Sequence, residues 1–314
     1  MHHDLPLADP TLDQFADLPN CQRICYRTYG QADRPSIVLI AGLGLQLVSW
    51  PMALIEGLVA EGLHVITLDN RDMGRSSYGT IAPPARWRLL LRHVPAGHYQ
   101  IKDMAQDVAL LLDQLGIDSA HILGMSMGGM IAQTLAAHYP HKVRSLTSIF
   151  STTGNPRVGQ PAGSTILRML LGQPAWTLPA AQDKYVAMMR HIGNPKVPGI
   201  EVMWRNYIAQ AWQRMEPEQA LAGYERQVTA IIGSGDRSSD LYAINTPTLV
   251  IHGDRDVMVQ PSGGAATARC ISGALFHTIV GMRHQIDTAV TPQLLQLTIT
   301  HVRDADRQAL TTQS

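Results

Sequence analysis

Residues 120–133 read AHILGMSMGGMIAQ. An apolar run that ends at Gly124 has the length of a buried strand, and the pattern from Met127 to His138 predicts a helix. Ser126 stands at the junction, inside a Gly-x-Ser-x-Gly motif. A serine at a tight strand-to-helix turn has a strained backbone and needs small neighbours, which Gly124 and Gly128 supply. The motif alone also arises by chance, but its place between a strand and a helix predicts that Ser126 is a nucleophile.

Working outward, the chain alternates strand patterns with helical patterns. Unbroken apolar runs of strand length are typical of strands buried on both faces of a parallel sheet. The other predicted strands are Arg23–Tyr29, Ser36–Ala41, His64–Leu68, Ser145–Phe150, Thr248–His252 and Ala274–Val280. Further helices are predicted over Trp50–Glu61, Asp103–Leu115 and Pro292–Val302. This alternation predicts an α/β fold with a mostly parallel, doubly wound sheet.

One segment interrupts the alternation. Residues 154–240 show helical patterns without a convincing strand and are rich in Pro, Met and Trp. We therefore expect a helical cap inserted before the acid-bearing strand, with a core formed by residues 21–153 and 241–302. The large apolar side chains of the insertion either pack its own small core or line an apolar pocket. Residues 1–20 are expected to form an N-terminal arm, and residues 303–314 a C-terminal tail.

A serine nucleophile needs a base, and the base needs an orienting carboxylate. The sequence HGDRD ends at Asp256 and follows one apolar strand, and GMRH ends at His284 after the next. Because open α/β sheets place their sites at the carboxyl ends of the strands, these loops are expected to converge on Ser126. His284 is the predicted base, although among 13 histidines only its place in the order distinguishes it. Asp254 and Asp256 are both candidates for the acid, and spacing does not separate them, whereas His252 is expected to serve the turn.

The developing oxyanion needs two N–H donors. The first is predicted to be the backbone of Met127, directly after the nucleophile. The second is expected from the loop Ala41-Gly42-Leu43-Gly44, where Leu43 is the predicted donor. The alternative is an ordinary glycine-rich turn. A phosphate-binding loop is not expected, because neither a Lys-Ser/Thr pair nor a third spaced glycine follows.

With these segments in place, the sequence resembles the α/β-hydrolase superfamily, and within it esterase-like members related to aclacinomycin methylesterase. The resemblance covers both halves of the predicted core, whereas the insertion is far less diagnostic. The segments that carry it are AGLGLQLVSWP at Ala41–Pro51, HVITLDNRDMGRSS at His64–Ser77, GMSMGGMIAQ at Gly124–Gln133, HGDRD and GMRH.

The resemblance implies roles for particular positions. In the family the acid is the second Asp of a G-D-x-D pattern, which here is Asp256. The family's His-Gly before the oxyanion donor is replaced by Ala41-Gly42, which leaves open what makes the hydrogen bonds of that histidine. Haloalkane dehalogenases and α/β-fold epoxide hydrolases use an Asp nucleophile, so the serine at position 126 disfavours both activities.

Composition excludes several classes of partner. The chain has 25 Lys and Arg against 25 Asp and Glu, so nothing in its charge favours nucleic acid. The longest stretch without these residues, 119–141, contains three glycines and three histidines and does not suit a membrane span. The N-terminal sequence lacks a secretory-type apolar run, so a cytoplasmic location is expected. Cys21, Cys25 and Cys270 cannot all pair, and their spacing does not predict a zinc site.

The sequence thus predicts a cofactor-free and metal-free serine hydrolase acting on a small, hydrophobic carboxylic ester. A lactonase, a C–C bond hydrolase or an acyltransferase would use the same triad on the same fold. A ligand-binding receptor with little or no catalysis is the alternative from another class, although every expected catalytic position is filled. The oligomeric state is not predicted.

Overall fold

The computed structural model describes residues 10–312, in which eight strands form one sheet. The strands are β1 (Gln14–Asp17), β2 (Arg23–Tyr29), β3 (Ser36–Ile40), β4 (His64–Leu68), β5 (Ala120–Met125), β6 (Val143–Ile149), β7 (Thr248–Gly253) and β8 (Leu275–Ile279). The α-helices are α1 (Met52–Ala60), α2 (Arg86–Leu90), α3 (Ile101–Gln114), α4 (Met127–His138), α5 (Gly163–Leu171), α6 (Leu178–Ile192), α7 (Ile200–Trp212), α8 (Pro217–Ser234), α9 (Ser238–Leu241), α10 (Ser262–Cys270) and α11 (Thr291–Thr312).

The sheet has the order β1-β2-β4-β3-β5-β6-β7-β8. Strand β2 pairs antiparallel with both β1 and β4, and all pairs from β4 to β8 are parallel. Ile40 lies opposite Gly124, and Ile149 lies opposite both Met125 and Ile251. These registers align the carboxyl ends of β3, β5, β6 and β7. The loops that leave these strands therefore begin at one edge of the sheet.

Helices cover both faces of this sheet, so its central strands are fully buried. In β3, Val38 and Ile40 pack in one cluster with α3 and α4. Ile37 and Leu39, which point to the opposite face, pack in a second cluster with α1 and α11. This two-sided burial is why the central strands are continuous apolar runs, and it confirms the predicted doubly wound α/β class.

Strand β8 is an exception to the expected two-sided burial. It is the last strand in the sheet and pairs on one side with β7. Leu275 and Phe276 are consequently exposed. The apolar run therefore predicted the strand correctly. The burial on both faces that such a run implies was wrong for β8.

Two terminal expectations need correction. Residues 14–17 of the expected arm form β1, which is anchored because Asp13 makes buried ion pairs with Arg27 and Arg214. The expected tail beyond residue 302 is helical as far as Thr312, because Ala305 is buried and Asp306 pairs with Arg144 of β6. The remaining residues of the arm and tail, 1–9 and 313–314, lie outside the described residues.

We call α5 to α8, which lie between β6 and β7, the inserted helices. Their largest buried cluster joins α6 and α7 through Val186, Met189, Ile192, Val197, Ile200 and Trp204. Other apolar side chains of this region are exposed, including Leu167, Leu171 and Trp176. In the described part of the chain, Cys21 is exposed and Cys25 and Cys270 are buried. No helix within residues 10–312 combines the length and apolar character needed to cross a bilayer.

Candidate active site

Ser126 occupies the turn between β5 and α4 in a backbone conformation that non-glycine residues rarely adopt, with φ 56° and ψ −120°. Its N–H donates to the carbonyl of Ile149 at 2.9 Å, and its carbonyl accepts from Ser151 Oγ at 2.7 Å. A Cβ on Gly124 would lie 2.1 Å from the Gly128 carbonyl oxygen, and one on Gly128 would lie 2.0 Å from the Ile40 carbonyl oxygen. The two glycines are therefore required by close backbone approach, as the sequence predicted.

The loops after β5, β7 and β8 bring three predicted side chains together. The His284 Nε2 lies 3.0 Å from Ser126 Oγ, and its Nδ1 lies 2.7 Å from Asp256 Oδ2. A carboxylate only accepts hydrogen bonds, so Nδ1 carries the proton and Nε2 is free to accept one from the serine hydroxyl. The side chain of His284 is 9% exposed and that of Asp256 is fully buried. Hydroxyl, imidazole and carboxylate thus form one continuous chain of hydrogen bonds.

The two acid candidates have different surroundings. The Oδ1 of Asp256 accepts from the backbone N–H groups of Met258 and Val259 at 2.8 and 2.9 Å, which leaves Oδ2 for His284. Asp254 is exposed, and its Oδ1 accepts from the N–H of Gly281 at 2.6 Å. Asp254 therefore braces the loop after β8, whereas Asp256 contacts the imidazole.

His252, near the end of strand β7, lies next to Asp256. Its Nε2 donates to the carbonyl of Val259 at 2.9 Å, and the same nitrogen lies 3.6 Å from Asp256 Oδ2. Burial lowers the pKa of His252, although Asp256 and the Val259 carbonyl oppose that shift. A neutral His252 shapes the turn around the acid without adding a second positive charge beside it.

Two contacts to His284 were missed at the sequence level. The ring of Phe150 lies with its centroid 4.5 Å from that of His284, at a tilt of 50°. The His284 N–H donates to the carbonyl of Ile192 at the end of α6, at 3.0 Å. Phe150 is the last residue of the predicted strand Ser145–Phe150. Its position at the same sheet edge could have predicted that it lies near the site. The contact with Ile192 joins residues 92 positions apart along the sequence, and no local sequence pattern predicts it.

The two predicted oxyanion donors lie at this edge as well. Met127 is the first residue of α4, and Leu43 lies in the loop after β3. A Cβ on Gly42 would lie 3.2 Å from Cβ of Ser126, so this loop packs directly against the serine. Within residues 10–312, the backbone N–H groups of Leu43 and Met127 donate to no acceptor. Both donors are therefore available to a substrate oxygen.

Two side chains hold the loop where the sequence departs from the family's His-Gly. Asn70, 3% exposed, donates from Nδ2 to the carbonyl of Ala41 at 3.0 Å. Gln227 of α8 accepts from the N–H of Gly44 at 3.0 Å. The loop is thus held by hydrogen bonds from the loop after β4 and from an inserted helix. Neither residue carries a motif of its own, so sequence reasoning did not find them.

The described residues contain no group of three or more His, Cys, Asp or Glu side chains arranged to hold a metal ion. What they assemble at the sheet edge is a hydroxyl, an imidazole and a carboxylate in hydrogen-bond contact, together with two free backbone N–H groups. Such a set of groups is suited to attack on a carbonyl carbon.

Comparison with known proteins places this arrangement in a family. Residues 35–286 match the family described as alpha/beta hydrolase fold. The chain belongs to this family. The α/β-hydrolase assignment confirms the predicted fold class and the prediction that the protein is a hydrolase.

The α/β hydrolases most similar to it in sequence include two named methylesterases. It is 30% identical over 294 residues to rhodomycin D methylesterase DauP of Streptomyces sp. (strain C5). It is 28% identical over 295 residues to rhodomycin D methylesterase DnrP of Streptomyces peucetius. Each alignment covers 87% of this chain and 92% of the relative.

Among solved structures, the enol-lactonase from Burkholderia xenovorans LB400 superposes with a TM-score of 0.67 at 22% identity, covering 92% of this chain and 100% of that one. At 22% identity, this similarity is evidence for the fold alone.

Proposed function

We propose that this α/β hydrolase cleaves small-molecule carboxylic esters through an acyl-enzyme on Ser126. The observation that carries the proposal is the position of the His284 imidazole, 3.0 Å from Ser126 Oγ and 2.7 Å from Asp256. Those distances lie within the range over which a base takes a proton from a hydroxyl and a carboxylate orients the base.

In the proposed mechanism, Ser126 Oγ attacks the ester carbonyl carbon while His284 Nε2 takes the hydroxyl proton. The tetrahedral oxyanion is bound by the N–H groups of Leu43 and Met127. His284 then gives the proton to the alkoxide oxygen as the C–O bond breaks, and the alcohol leaves. Water, deprotonated by the same nitrogen, attacks the acyl carbon, and the acid product departs as Ser126 regains its proton. Asp256 stabilises the imidazolium in both halves without taking its proton.

The substrate is proposed to be an ester with a bulky apolar acid part. The methylesterase names of the two full-length relatives support an ester, and the ring of Phe150 beside His284 supports an apolar group. We also propose that residues 154–240 act as a cap over the site, since the carbonyl of Ile192 binds the backbone of His284. The proposed location is cytoplasmic.

The test is labelling with a fluorophosphonate probe together with hydrolysis of p-nitrophenyl butyrate. Wild-type protein is expected to bind the probe covalently at Ser126, located by peptide mass spectrometry, and to hydrolyse the ester. Ser126→Ala is expected to lose both while keeping its circular dichroism and thermal unfolding curve. Full ester hydrolysis by Ser126→Ala, or labelling at another residue, would refute the proposal.

A further inference from the structure

The loop that carries the Leu43 donor is a tight turn. The N–H of Leu45 donates to the carbonyl of Gly42 at 3.1 Å, which closes a four-residue turn with Leu43 and Gly44 at its centre. Gly44 has a φ of +70°, the sign that a type II turn requires at its third residue. In a turn of this kind the peptide between the two central residues can flip, which exchanges its N–H and its carbonyl. The turn therefore needs something outside itself to hold one orientation.

Gln227 of α8 holds that peptide. Its Oε1 accepts from the Gly44 N–H at 3.0 Å, and its Nε2 donates to the carbonyl of Arg71 at 2.8 Å. The side chain is fully buried, and both ends of its amide are used. A flipped peptide would point the Leu43 carbonyl at Gln227 Oε1, placing two acceptors face to face beside a buried side chain. The amide of Gln227 thus selects the orientation of the peptide that directly follows the Leu43 N–H.

Helix α8 gives Gln227 a fixed base. Arg226 makes two hydrogen bonds to the carboxylate of Asp72, at 2.8 and 2.6 Å. Gly223 lets the helix approach so closely that a Cβ there would lie 2.2 Å from the Asp72 carbonyl oxygen. The ring of Tyr224 packs against the turn, 2.9 Å from where a Cβ on Gly44 would lie. These three contacts fix the position of helix α8 relative to the turn, and with it the position of the Gln227 side chain.

We propose that Gln227 is a positioning residue for the oxyanion hole, so that an inserted helix sets the alignment of a donor that belongs to the sheet core. This inference rests on the proposed function. It assigns Gln227 no contact with the substrate. Its effect is exerted through the Gly42–Leu45 turn and is felt when charge develops on the carbonyl oxygen.

The experiment compares wild type with Gln227→Met, which keeps the side-chain length but makes neither hydrogen bond. We expect kcat for p-nitrophenyl butyrate to fall about 10-fold to 100-fold, less than the 10²–10³ that follows outright loss of a donor, with KM nearly unchanged. Affinity for a trifluoromethyl ketone analogue of the ester, which binds as a tetrahedral adduct, should fall by the same factor as kcat/KM. Affinity for the butyrate product should not change.

Gln182→Met is the matched control. Gln182 donates from Nε2 to the Arg205 carbonyl at 3.0 Å, linking two inserted helices without touching the turn. It is expected to leave kcat and ketone affinity at wild-type values. Gln227→Leu, which also makes neither hydrogen bond but is uncharged and shorter, is expected to lower kcat by a similar factor and covers the case in which the methionine variant folds poorly.

The outcomes separate this inference from the proposed function. If wild type is active and Ser126→Ala inactive, yet Gln227→Met keeps wild-type kcat and ketone affinity, the positioning role is wrong while the proposed function stands. Equal losses in Gln227→Met and Gln182→Met would also overturn the positioning role, because they would reflect general loosening of the inserted helices. Activity retained by Ser126→Ala would remove the foundation of both.

Discussion

The sheet core and the inserted helices meet at the same active-site loops, but they are built differently. Every residue of β3, β4, β5 and β7 is buried between two layers of helices. The inserted helices share one small cluster between α6 and α7 and leave large side chains such as Leu171 exposed. The core is stabilised mainly by apolar burial, whereas the inserted helices contact the catalytic loops through hydrogen bonds and through packing of Val257 and Met258 against the α6–α7 cluster.

The hydrogen bonds reach three of the four loops that we assign to catalysis, those after β3, β7 and β8. The Ile192 carbonyl accepts from the backbone of His284, Thr165 donates to the carbonyl of Val257 beside Asp256, and Gln227 binds Gly44. The groups that we propose to react, however, all come from the core. From this difference we expect that substitutions of the core groups abolish catalysis. Substitutions in the inserted helices should reduce its rate by disturbing the alignment of those groups.

The largest effect is expected when the proposed acid of the core is substituted and compared with a substitution at the other aspartate of the same loop. Asp256→Asn is expected to lower kcat about 10⁴-fold, because an amide at this position favours the wrong tautomer of His284. Asp254→Asn, at the exposed aspartate of the same loop, should keep kcat within about threefold of wild type, a difference of under 1 kcal/mol. Steady-state kinetics on p-nitrophenyl butyrate measure both. Similar losses in the two variants would contradict our assignment of the acid.

A second comparison substitutes one glycine from each region. Gly128→Ala places a methyl group 2.0 Å from the Ile40 carbonyl oxygen, so we expect a loss of about 3 kcal/mol or more in the free energy of unfolding. Gly163→Ala, at the start of α5, meets nothing within 4 Å and should raise that free energy by about 0.5–1 kcal/mol. Urea unfolding followed by circular dichroism gives both values. Equal destabilisation would mean that the inserted helices are packed as tightly as the core.

Acid should destabilise the core through its buried histidines. Burial, the largest cause, lowers the pKa of His121 to about 4, although Asp306 opposes the shift. Burial also lowers the pKa values of three other core histidines, His64, His252 and His301. Between pH 6.5 and about 4, the unfolded chain binds more protons at such sites than the folded chain, so stability is full above pH 6.5 and is lost as the pH falls.

The expected slope is at most about 1.4 kcal/mol per pH unit for each buried histidine. His121→Asn should flatten the dependence of urea unfolding on pH in this window. His141→Asn, at an exposed histidine, should leave the curve as in wild type. A slope that is the same in His121→Asn and wild type would show that His121 does not contribute to acid sensitivity.

The smallest effect is expected from the link between the insertion and the acid loop. Thr165→Val removes the hydrogen bond from Oγ1 to the Val257 carbonyl, 3.0 Å long, and should cost about 1 kcal/mol of stability. It should also lower kcat, by less than about tenfold. Thr177→Val loses the hydrogen bond from the Ala180 N–H at the start of α6 and should cost similar stability with kcat unchanged. Thermal unfolding and kinetics, measured together, distinguish the two; a fall in kcat for Thr177→Val alone would contradict the link.

Much of the core could be predicted because local sequence patterns reflect its burial. The bounds of β2, β4 and α4 agree with those predicted, since an apolar run or a helical pattern there is interrupted at both ends. Strand β1 was missed because Ala16 is its one buried residue and Asp13, its anchor, is paired with residues far along the chain. Helix α10 was missed because SGGAATARC has small residues and little apolar periodicity.

The site divides in the same way. Ser126, His284 and the two candidate aspartates could be found because each directly follows a strand pattern. Gln227 could not, since its hydrogen bond to Gly44 joins positions 183 residues apart. A single glutamine in a helix has no feature of its own that marks such a contact. Prediction from sequence therefore found the groups that meet at the sheet edge, and it missed Gln227, which we propose aligns one of them.

The ion pairs of Arg214 have a consequence for synthesis of the chain on the ribosome. Arg214, two residues beyond the end of the inserted helix α7, binds Asp69 at 2.6 Å and also pairs with Asp13. Asp69 is made 145 residues before Arg214, and Asp13 is made 201 residues before it. At translation rates of about 5–20 residues per second, about 7–30 s pass between the synthesis of Asp69 and that of Arg214. The carboxylates of Asp69 and Asp13 therefore gain this partner only after the inserted helix α7 has been synthesised, although Asp13 can already pair with Arg27 and Arg75 by then.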